Sequence, residues 1–250
     1  MAWVHAVIDL PPELAATGAR FWSSVLGWAP GPPWEGHPEL RSLEPADGDP
    51  YVHLQQIGGP PRVHLDLDSP DPDRTVAAAV DAGATVVGRA RRWVALRSPG
   101  GLPFCVVHGR DRVAPGPVTW PDGHRSRLVQ VCVDAPADRH EAEKAFWQDL
   151  LPEGRWVSSP PSSEFDGKWH DDAGAPVQLL FQRLDEIGGP VRAHLDLGTD
   201  DRAAEVDRLV ALGAEDVRPG RGWHVLRDPA GSEFCVTDNS PEQVARRLLD

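Results

Sequence analysis

The sequence is poor in cysteine and in basic residues, and each shortage excludes a class of protein. Only three of the 250 residues are cysteines. They lie far apart, so no disulfide framework is expected and a reducing cytoplasm is the expected location. The 25 basic residues against 38 acidic ones give a net charge of −13, which argues against nucleic acid as a partner. No apolar run approaches the ~18 residues of a membrane span, and a secretory signal is lacking, so no membrane partner is expected.

The remaining composition is that of a globular protein, and the chain repeats itself. Residues 57–67, with the sequence IGGPPRVHLDL, recur at 187–197 as IGGPVRAHLDL, an offset of 130. The other matching blocks are 93–106 with 223–236 and, at an offset of 125, 21–22 with 146–147. Such a repeat indicates two copies of one structural unit. We therefore predict a first domain at 1–112, a linker rich in proline and glycine at 113–125, and a second domain at 126–250.

Each copy alternates strand and helix patterns in the order strand, helix and three strands, repeated twice. The predicted helices are 12–26, 71–82, 139–151 and 201–212, with a last helix at 241–249. A glycine directly after the first, second and fourth of these helices is a typical terminator.

Alternation along the predicted strands separates an apolar face from a polar face. Val129, Val131 and Val133 give one strand a wholly apolar face, which we expect to pack against the helices. The opposite faces collect titratable and amide side chains, which suggests a cup rather than a plain solvated surface. These polar-face residues are His5, Asp9, His64, Asp66, Cys105, Gln130, Cys132, Asp134, His194, Asp196, Glu233 and Cys235.

Three sequence features carry a resemblance to a known family: FWSSVLGW at 21–28, the two HLDL strands, and RDPAGSEF at 227–234. With the tandem units, they are similar to the vicinal oxygen chelate superfamily, which includes glyoxalase I, bleomycin-resistance proteins and extradiol dioxygenases. The resemblance implies an α+β fold of two tandem domains. Each would have two βαβββ units in an open, cupped, mainly antiparallel eight-stranded sheet with helices outside. The copies would pack as an intramolecular pseudo-dimer, and a further homodimer stays open.

Metal-dependent members of the superfamily place ligands on the first strand of each unit and on the last strand of the second unit. Those positions fall on Gln130, His194 and Glu233 in the second copy, and on His5, His64 and Pro103 in the first. The proline leaves the first copy without a carboxylate, so the second copy is the better candidate. The resemblance implies one divalent metal there (Zn, Ni, Fe or Mn), with Glu233 doubling as a catalytic base.

Two arrangements of the units stay open. If the first unit paired with the fourth, His5, His194 and Glu233 would share one cup and complete a set of two histidines and one carboxylate. The short linker favours side-by-side units within each copy instead.

The resemblance also leaves two functions open. One is a metal-dependent lyase, isomerase or dioxygenase acting on a small molecule with vicinal oxygens. The other is a binding protein without any cofactor, which sequesters a small molecule as bleomycin-resistance proteins do. For either function, the residues expected in the ligand cup are Asp66, Asp196, Cys105, Cys235, Trp34 and Trp169.

Ordinary structural roles for the same residues stay open as well. His64 and His194 could pair with the neighbouring Asp66 and Asp196, and the cysteines at 105 and 235 suit packing as well as chemistry. The remaining histidines, His53 among them, are interpreted as solvated or structural.

Overall fold

The strands of the chain form two sheets, one in each copy, in a computed structural model that describes residues 3–158, 164–170 and 174–242. The first copy contains β1 (Val4–Leu10), α1 (Pro12–Leu26), β2 (Ala29–Trp34), β3 (His37–Glu44), β4 (Val52–Gln56), β5 (Arg62–Ser69), α2 (Pro72–Asp81), β6 (Thr85–Arg89), β7 (Trp93–Arg97) and β8 (Pro103–His108). The second contains β9 (Val118–Thr119), β10 (Arg125–Pro136), α3 (His140–Leu150), β11 (Arg155–Val157), β12 (Phe165–His170), β13 (Gln178–Leu184), β14 (Arg192–Thr199), α4 (Arg202–Ala211), β15 (Glu215–Pro219), β16 (Trp223–Arg227) and β17 (Glu233–Thr237). The predicted helix at 241–249 lies outside the described residues from 243 onward.

Each sheet consists of two units joined at its centre. The strand order is β2-β3-β4-β1-β5-β8-β7-β6 in the first sheet and β11-β12-β13-β10-β14-β17-β16-β15 in the second, where β9 adds a ninth strand beside β10. The pairs β1–β4, β5–β8, β10–β13 and β14–β17 are parallel, and the other pairs are antiparallel. The predicted α+β fold, with two βαβββ units in each open and mainly antiparallel sheet, is confirmed.

The central pairing decides how the units combine. Strand β1 pairs with β5, and β10 pairs with β14. The first unit therefore shares a sheet with the second, and the third with the fourth. The exchanged arrangement is wrong, because His5 lies in the first sheet while His194 and Glu233 lie in the second.

Local sequence signals begin and end the helices. Pro12 opens α1, and Gly27 ends it in the left-handed conformation (φ 65°), which residues with a Cβ adopt less readily. Asp71 and Asp201 cap α2 and α4, because each side chain accepts a hydrogen bond from the backbone N–H three residues later. Among the described residues, no helix is long and apolar enough to cross a membrane.

The two copies share one hydrophobic core through α1 and α3. Trp22 of α1 packs edge-to-face on Phe234 of the second sheet, with ring centroids 5.2 Å apart. Trp147 of α3 packs in the same way on Phe104 of the first sheet, at 5.3 Å. Each copy therefore covers part of the other copy's sheet.

A buried carboxylate lies at each of these two contacts. In one contact, Asp228 accepts a hydrogen bond from Trp22 Nε1 at 3.0 Å. In the other, Glu143 accepts from the Ser98 hydroxyl and from the Gly100 backbone N–H, both at 2.9 Å. Burial raises the pKa of both carboxyls.

The two contacts draw their carboxylate from different elements. The offset of 125 places Gly18 of α1 at the position of Glu143 in α3. The offset of 130 places Ser98 at the position of Asp228 in the matching turns. One contact thus takes its carboxylate from a helix and the other from a turn.

The predicted linker at 113–125 is held against both copies. The Val113 backbone N–H donates to Asp49 of the first copy at 2.9 Å. Strand β9 pairs with the start of β10 in the second copy, and the Arg208 guanidinium lies 3.5 Å from the Trp120 ring centroid. Arg208 also donates to the carbonyls of Ser24 and Val25 at the end of α1, at 3.1 and 2.9 Å. The domain boundaries themselves stay predictions.

Replacing Glu143 with alanine leaves three buried donors without an acceptor, since Trp147 Nε1 also donates to this carboxylate at 2.8 Å. We expect Glu143→Ala to lower the free energy of unfolding by about 2–4 kcal/mol, measured by urea denaturation. Glu141→Ala, an exposed change on the same helix, should alter it by less than about 0.5 kcal/mol. Equal losses in the two variants would contradict a structural role for the Glu143 carboxylate.

Candidate functional site

The concave face of each sheet forms a cup whose mouth is bridged by rings. In the first cup, His37 of β3 packs against Trp93 of β7 with ring centroids 4.5 Å apart. In the second cup, Phe165 of β12 packs against Trp223 of β16 at 5.3 Å. Four strands lie between the contacting strands in each sheet, so the sheets curve far enough for their two arms to touch.

The second cup borders a cavity of about 1170 Å³, and residues of the first copy, among them Arg62, Arg97 and Pro103, line one side of it. Its walls include the apolar side chains of Phe165, Leu180, Trp223 and Val225. Ligand pockets typically measure ~300–1,000 Å³, so this cavity accommodates an organic molecule of several rings.

A buried histidine between two aspartates lies on the floor of the second cup. His194 Nδ1 donates to Asp134 at 2.7 Å, and its Nε2 lies 3.3 Å from Asp196 Oδ1. Burial opposes a charge on the imidazole, but the two carboxylates outweigh it and hold the pKa of His194 well above its ordinary value. The imidazole is therefore charged at neutral pH.

Cys235 completes a compact set of potential metal donors. Its Sγ lies 3.6 Å from His194 Nε2, and the buried Oδ1 of Asp196 has no hydrogen-bond partner. The three atoms lie within 4.8 Å of one another. Nitrogen, oxygen and sulfur donors at such separations fit Zn²⁺ and similar divalent cations. Burial raises the pKa of the Cys235 thiol to about 11, so a metal would have to displace protons from the thiol and the imidazole.

Gln130, a predicted ligand, has both ends of its amide engaged. Its Nε2 donates to Asp196, and its Oε1 accepts from Gln178 at 2.6 Å. A metal at Gln130 would compete with Gln178 for the lone pairs of this oxygen. Its role as a ligand stays a prediction.

Glu233 lines the cavity, but its carboxylate is paired with two arginines. Oε1 accepts from Arg227 at 2.9 Å, and Oε2 lies 3.6 Å from Arg218. Among the described residues, Glu233 belongs to none of the clusters of potential metal donors. The residue of β17 that contacts His194 is Cys235, two positions further along. The metal and base roles of Glu233 stay predictions.

Lys168 enters the second cup from β12, which lies outside the repeated sequence blocks, so it was not among the predicted site residues. The side chain is half-buried and lines the cavity. Within the described ranges, no carboxylate lies within 4.0 Å of its ammonium group. Burial lowers the pKa of Lys168 to about 8, although Asp196 acts in the opposite direction.

The first cup repeats the histidine between two aspartates. His64 Nδ1 donates to Asp9 at 2.9 Å, and its Nε2 lies 3.4 Å from Asp66. Burial opposes the charge, but the carboxylates outweigh it and raise the pKa of His64 well above its ordinary value. Cys105 lies beside them, in the position that Cys235 has in the second cup. The structure thus brings the predicted His64, Asp66 and Cys105 together.

His5 belongs to a separate polar chain in the first cup. His5 Nδ1 and His53 Nε2 share a hydrogen bond of 2.9 Å, and His5 Nε2 donates to Asp68 at 3.1 Å. The Ser42 hydroxyl bonds His53 Nδ1 at 3.0 Å, and Arg112 donates to Asp68 at 2.6 Å. Burial, with the nearby His5, lowers the pKa of His53 to about 3, so its imidazole is neutral.

His53 is buried rather than solvated, which corrects part of its sequence interpretation. His53 pairs with Val7 in the first sheet, and Leu180 pairs with Cys132, the repeat equivalent of Val7, in the second. The place of His53 in the first cup is therefore held by an apolar leucine in the second. The alternation of apolar and polar residues at 52–55 was the available sequence signal for His53.

Trp34 contacts the polar chain of the first cup, and its place in a ligand cup stays a prediction. Its Nε1 donates to Ser42 at 3.2 Å, and its ring centroid is 5.2 Å from that of His53. The indole thus packs against the polar chain.

Trp169 lies in the core, and its expected place in the ligand cup is wrong. The side chain is fully buried and donates to the Glu153 carbonyl at 2.8 Å. A bulge between Phe165 and Lys168 interrupts the simple alternation of β12. As a result Phe165 and Lys168 face the cavity, while Trp169 faces the core.

Comparison with known proteins identifies the family. The model of the glyoxalase-like domain matches residues 5–107 and again 130–237, so the chain belongs to this family in two tandem copies. It is thus a tandem protein of the vicinal oxygen chelate superfamily. A search of the curated proteins finds no match.

Solved structures share the fold over most of the chain. The Mn(II)-bound glyoxalase from Novosphingobium aromaticivorans is 18% identical, with a TM-score of 0.67 over 97% of this chain and 84% of that one. A mutant 4-hydroxymandelate synthase from Streptomyces coelicolor is 16% identical, with a TM-score of 0.60 over 94% and 92%. A variant of homoprotocatechuate 2,3-dioxygenase from B. fuscum is 15% identical, with a TM-score of 0.63 over 97% and 72%. At these identities the likeness shows a common fold.

The neutral state of His53 makes stability depend on pH. The pKa of His53 is about 3 in the folded protein and ~6.5 in an unfolded chain, so the unfolded chain binds the extra proton between these values. Its contribution is therefore present above pH ~6.5 and lost as the pH falls, by up to about 1.4 kcal/mol per pH unit. We expect His53→Gln to have a smaller loss of unfolding free energy than the wild type between pH 6.5 and 4.5, measured by urea denaturation. Identical pH slopes for the two proteins would contradict the neutral, buried imidazole.

Proposed function

We propose that this protein binds a small organic molecule in the second cup. The observation that carries the proposal is the cavity of about 1170 Å³, whose apolar walls stand over a polar floor. A few convergent polar groups below apolar walls are typical of ligand sites. The glyoxalase and the dioxygenase that share the fold are, by their names, enzymes of small molecules.

The contrast between the copies supports the choice of the second cup. In the first cup, the chain from Ser42 through His53 and His5 to Asp68 occupies the concave face with side chains bonded to one another. In the second cup, Gln178 bonds to Gln130, which bonds to Asp196 at the floor, and Leu180 holds the place of His53. The space above them is the cavity.

Binding alone is sufficient for one function, the sequestering of a small molecule.

Leu180 pairs with Lys168 across β12 and β13 and lines the cavity. A tryptophan at this position would occupy the space that a ligand needs. The neutral fluorescent probe N-phenyl-1-naphthylamine reports such a site, because its emission rises in apolar surroundings.

We expect wild-type protein to bind N-phenyl-1-naphthylamine and Leu180→Trp to lose most of that binding, measured by fluorescence titration. The control is Gln55→Trp, a change on β4 of the first sheet, the strand that corresponds to β13 in the second. The control should retain wild-type affinity. Binding that survives Leu180→Trp but disappears in Gln55→Trp would place the ligand in the first cup instead.

A second candidate function adds a divalent metal, and it is favoured by the buried Oδ1 of Asp196, which accepts no hydrogen bond and lies beside His194 Nε2 and Cys235 Sγ. These three residues would hold the metal, and Asp134 would keep the imidazole oriented through its bond to Nδ1. A metal in this place supplies Lewis-acid polarisation of vicinal oxygens on the ligand, as a lyase, isomerase or dioxygenase of this fold requires.

The metal proposal predicts which variants lose the ion. After incubation with Zn²⁺ or Mn²⁺ and desalting, we expect near-stoichiometric metal in the wild type and in Glu233→Gln, and little in Cys235→Ala, measured by inductively coupled plasma mass spectrometry. Loss in Glu233→Gln with retention in Cys235→Ala would instead support the set of Gln130, His194 and Glu233. The absence of metal from the wild type would leave binding without a cofactor as the function.

A further inference from the structure

We propose that Lys168 anchors an anionic group of the ligand, so that the second cup takes organic acids with an apolar body. The inference rests on the proposed function of the second cup and adds the charge class of the molecule that binds there. Three observations carry it: the pairing of the other charges, the absence of this lysine from the first cup, and its position against the apolar wall.

The cations around the cavity divide into paired and unpaired groups. The paired ones are Arg62 with Asp9, Arg192 with Glu186 and Arg218 with Glu233, at 2.7, 2.7 and 3.6 Å. Lys168 and Arg97 also line the cavity. In the part of the chain that the structure describes, neither has a carboxylate within 4.0 Å. Arg97 donates to the Gly101 carbonyl at 3.2 Å, so both cations keep an unneutralised charge for a ligand.

The carboxylates around the cavity are mostly engaged. Asp134 and Asp196 flank the charged His194 on the floor, and Asp238 pairs with Arg202 at 2.6 Å. Glu164 is exposed and accepts a hydrogen bond from Gln182. His194 offsets one of the two floor carboxylates, so the floor keeps one net negative charge. Among the described lining residues, an anion of the ligand is therefore favoured beside Lys168 and Arg97, away from the floor.

The fold itself does not require a lysine at this position. Lys168 pairs with Leu180 in the second sheet, and Ser42 pairs with His53 in the first. Because His53 and Leu180 pair with the equivalent residues Val7 and Cys132, Ser42 holds the place of Lys168 in the first cup, where it is buried. The lysine is specific to the cup that borders the cavity.

The surroundings of Lys168 make an anionic partner favourable. Half-burial beside Leu180 and the other apolar walls removes part of the water that would solvate the ammonium group. The same burial lowers the pKa of Lys168 to about 8, which still leaves the group mainly charged at pH 7. A carboxylate or sulfonate placed against it would form a charge-assisted hydrogen bond in a partly dry site.

The test compares two probes that differ chiefly in one anionic group. N-phenyl-1-naphthylamine is neutral, and 8-anilino-1-naphthalenesulfonate carries a sulfonate on the same ring system. We expect Lys168→Met to raise the dissociation constant of the sulfonate about tenfold at pH 7 and to leave that of the neutral probe nearly unchanged. Lys168→Arg, which keeps the charge, should restore most of the affinity for the sulfonate.

The outcomes separate this inference from the proposed function. Binding of both probes with no change in the sulfonate affinity of Lys168→Met would overturn the role of the lysine while the ligand cup stands. Equal weakening of both probes in Lys168→Met would also overturn it, because a loss of shape rather than of charge would explain the result. Failure of both probes to bind the wild type, or binding that survives Leu180→Trp, would overturn the proposed function and this inference with it.

Discussion

The rest of each cup depends on one interaction, the charged histidine held between two aspartates at the seam of the sheet. His64 and His194 lie on the first strand of the second unit in their sheets, and each bonds an aspartate on the first strand of the other unit. Without the positive charge, the buried carboxylates around it would repel one another in a poorly solvated place. The imidazole therefore joins two units that are otherwise connected by backbone pairing and helix packing. Its presence in both copies marks it as part of the framework, whichever chemistry the cup performs.

The histidine and its two aspartates are the same in both cups, but the polar side chains next to them differ, and so do the interiors of the two cups. In the first cup, two hydrogen-bonded histidines belong to a polar chain that reaches Asp68 and Arg112. In the second cup, two hydrogen-bonded glutamines form a shorter chain that ends at Asp196. A duplicated fold needs stability from both copies but a ligand site from one. The first copy has a self-bonded polar interior, and the second keeps open space above its floor.

Much of the fold could be predicted from the sequence, because repeated blocks and strand alternation are strong local signals. They placed His194, Asp196 and Cys235 on one face, where the structure joins them. Alternation could not place Trp169, because a bulge in β12 depends on cross-strand partners that lie far away in the sequence. Nor could it show that Glu233 pairs with arginines, since the choice between a metal and an ion pair is made by side chains on neighbouring strands. The cavity itself follows from the curvature of the whole sheet, which no short segment encodes.

The unequal carboxylates between the copies have a consequence for how such a protein recognises itself. Two first copies facing each other would bring Gly18 against Ser98, with no acid to receive the indole N–H. Two second copies would bring Glu143 against Asp228, with two acids crowded into one buried place. Only the mixed pair supplies one acid at each contact. The two copies are thus complementary to each other and not to themselves. By joining one of each in a single chain, the tandem arrangement ensures that the mixed pair forms.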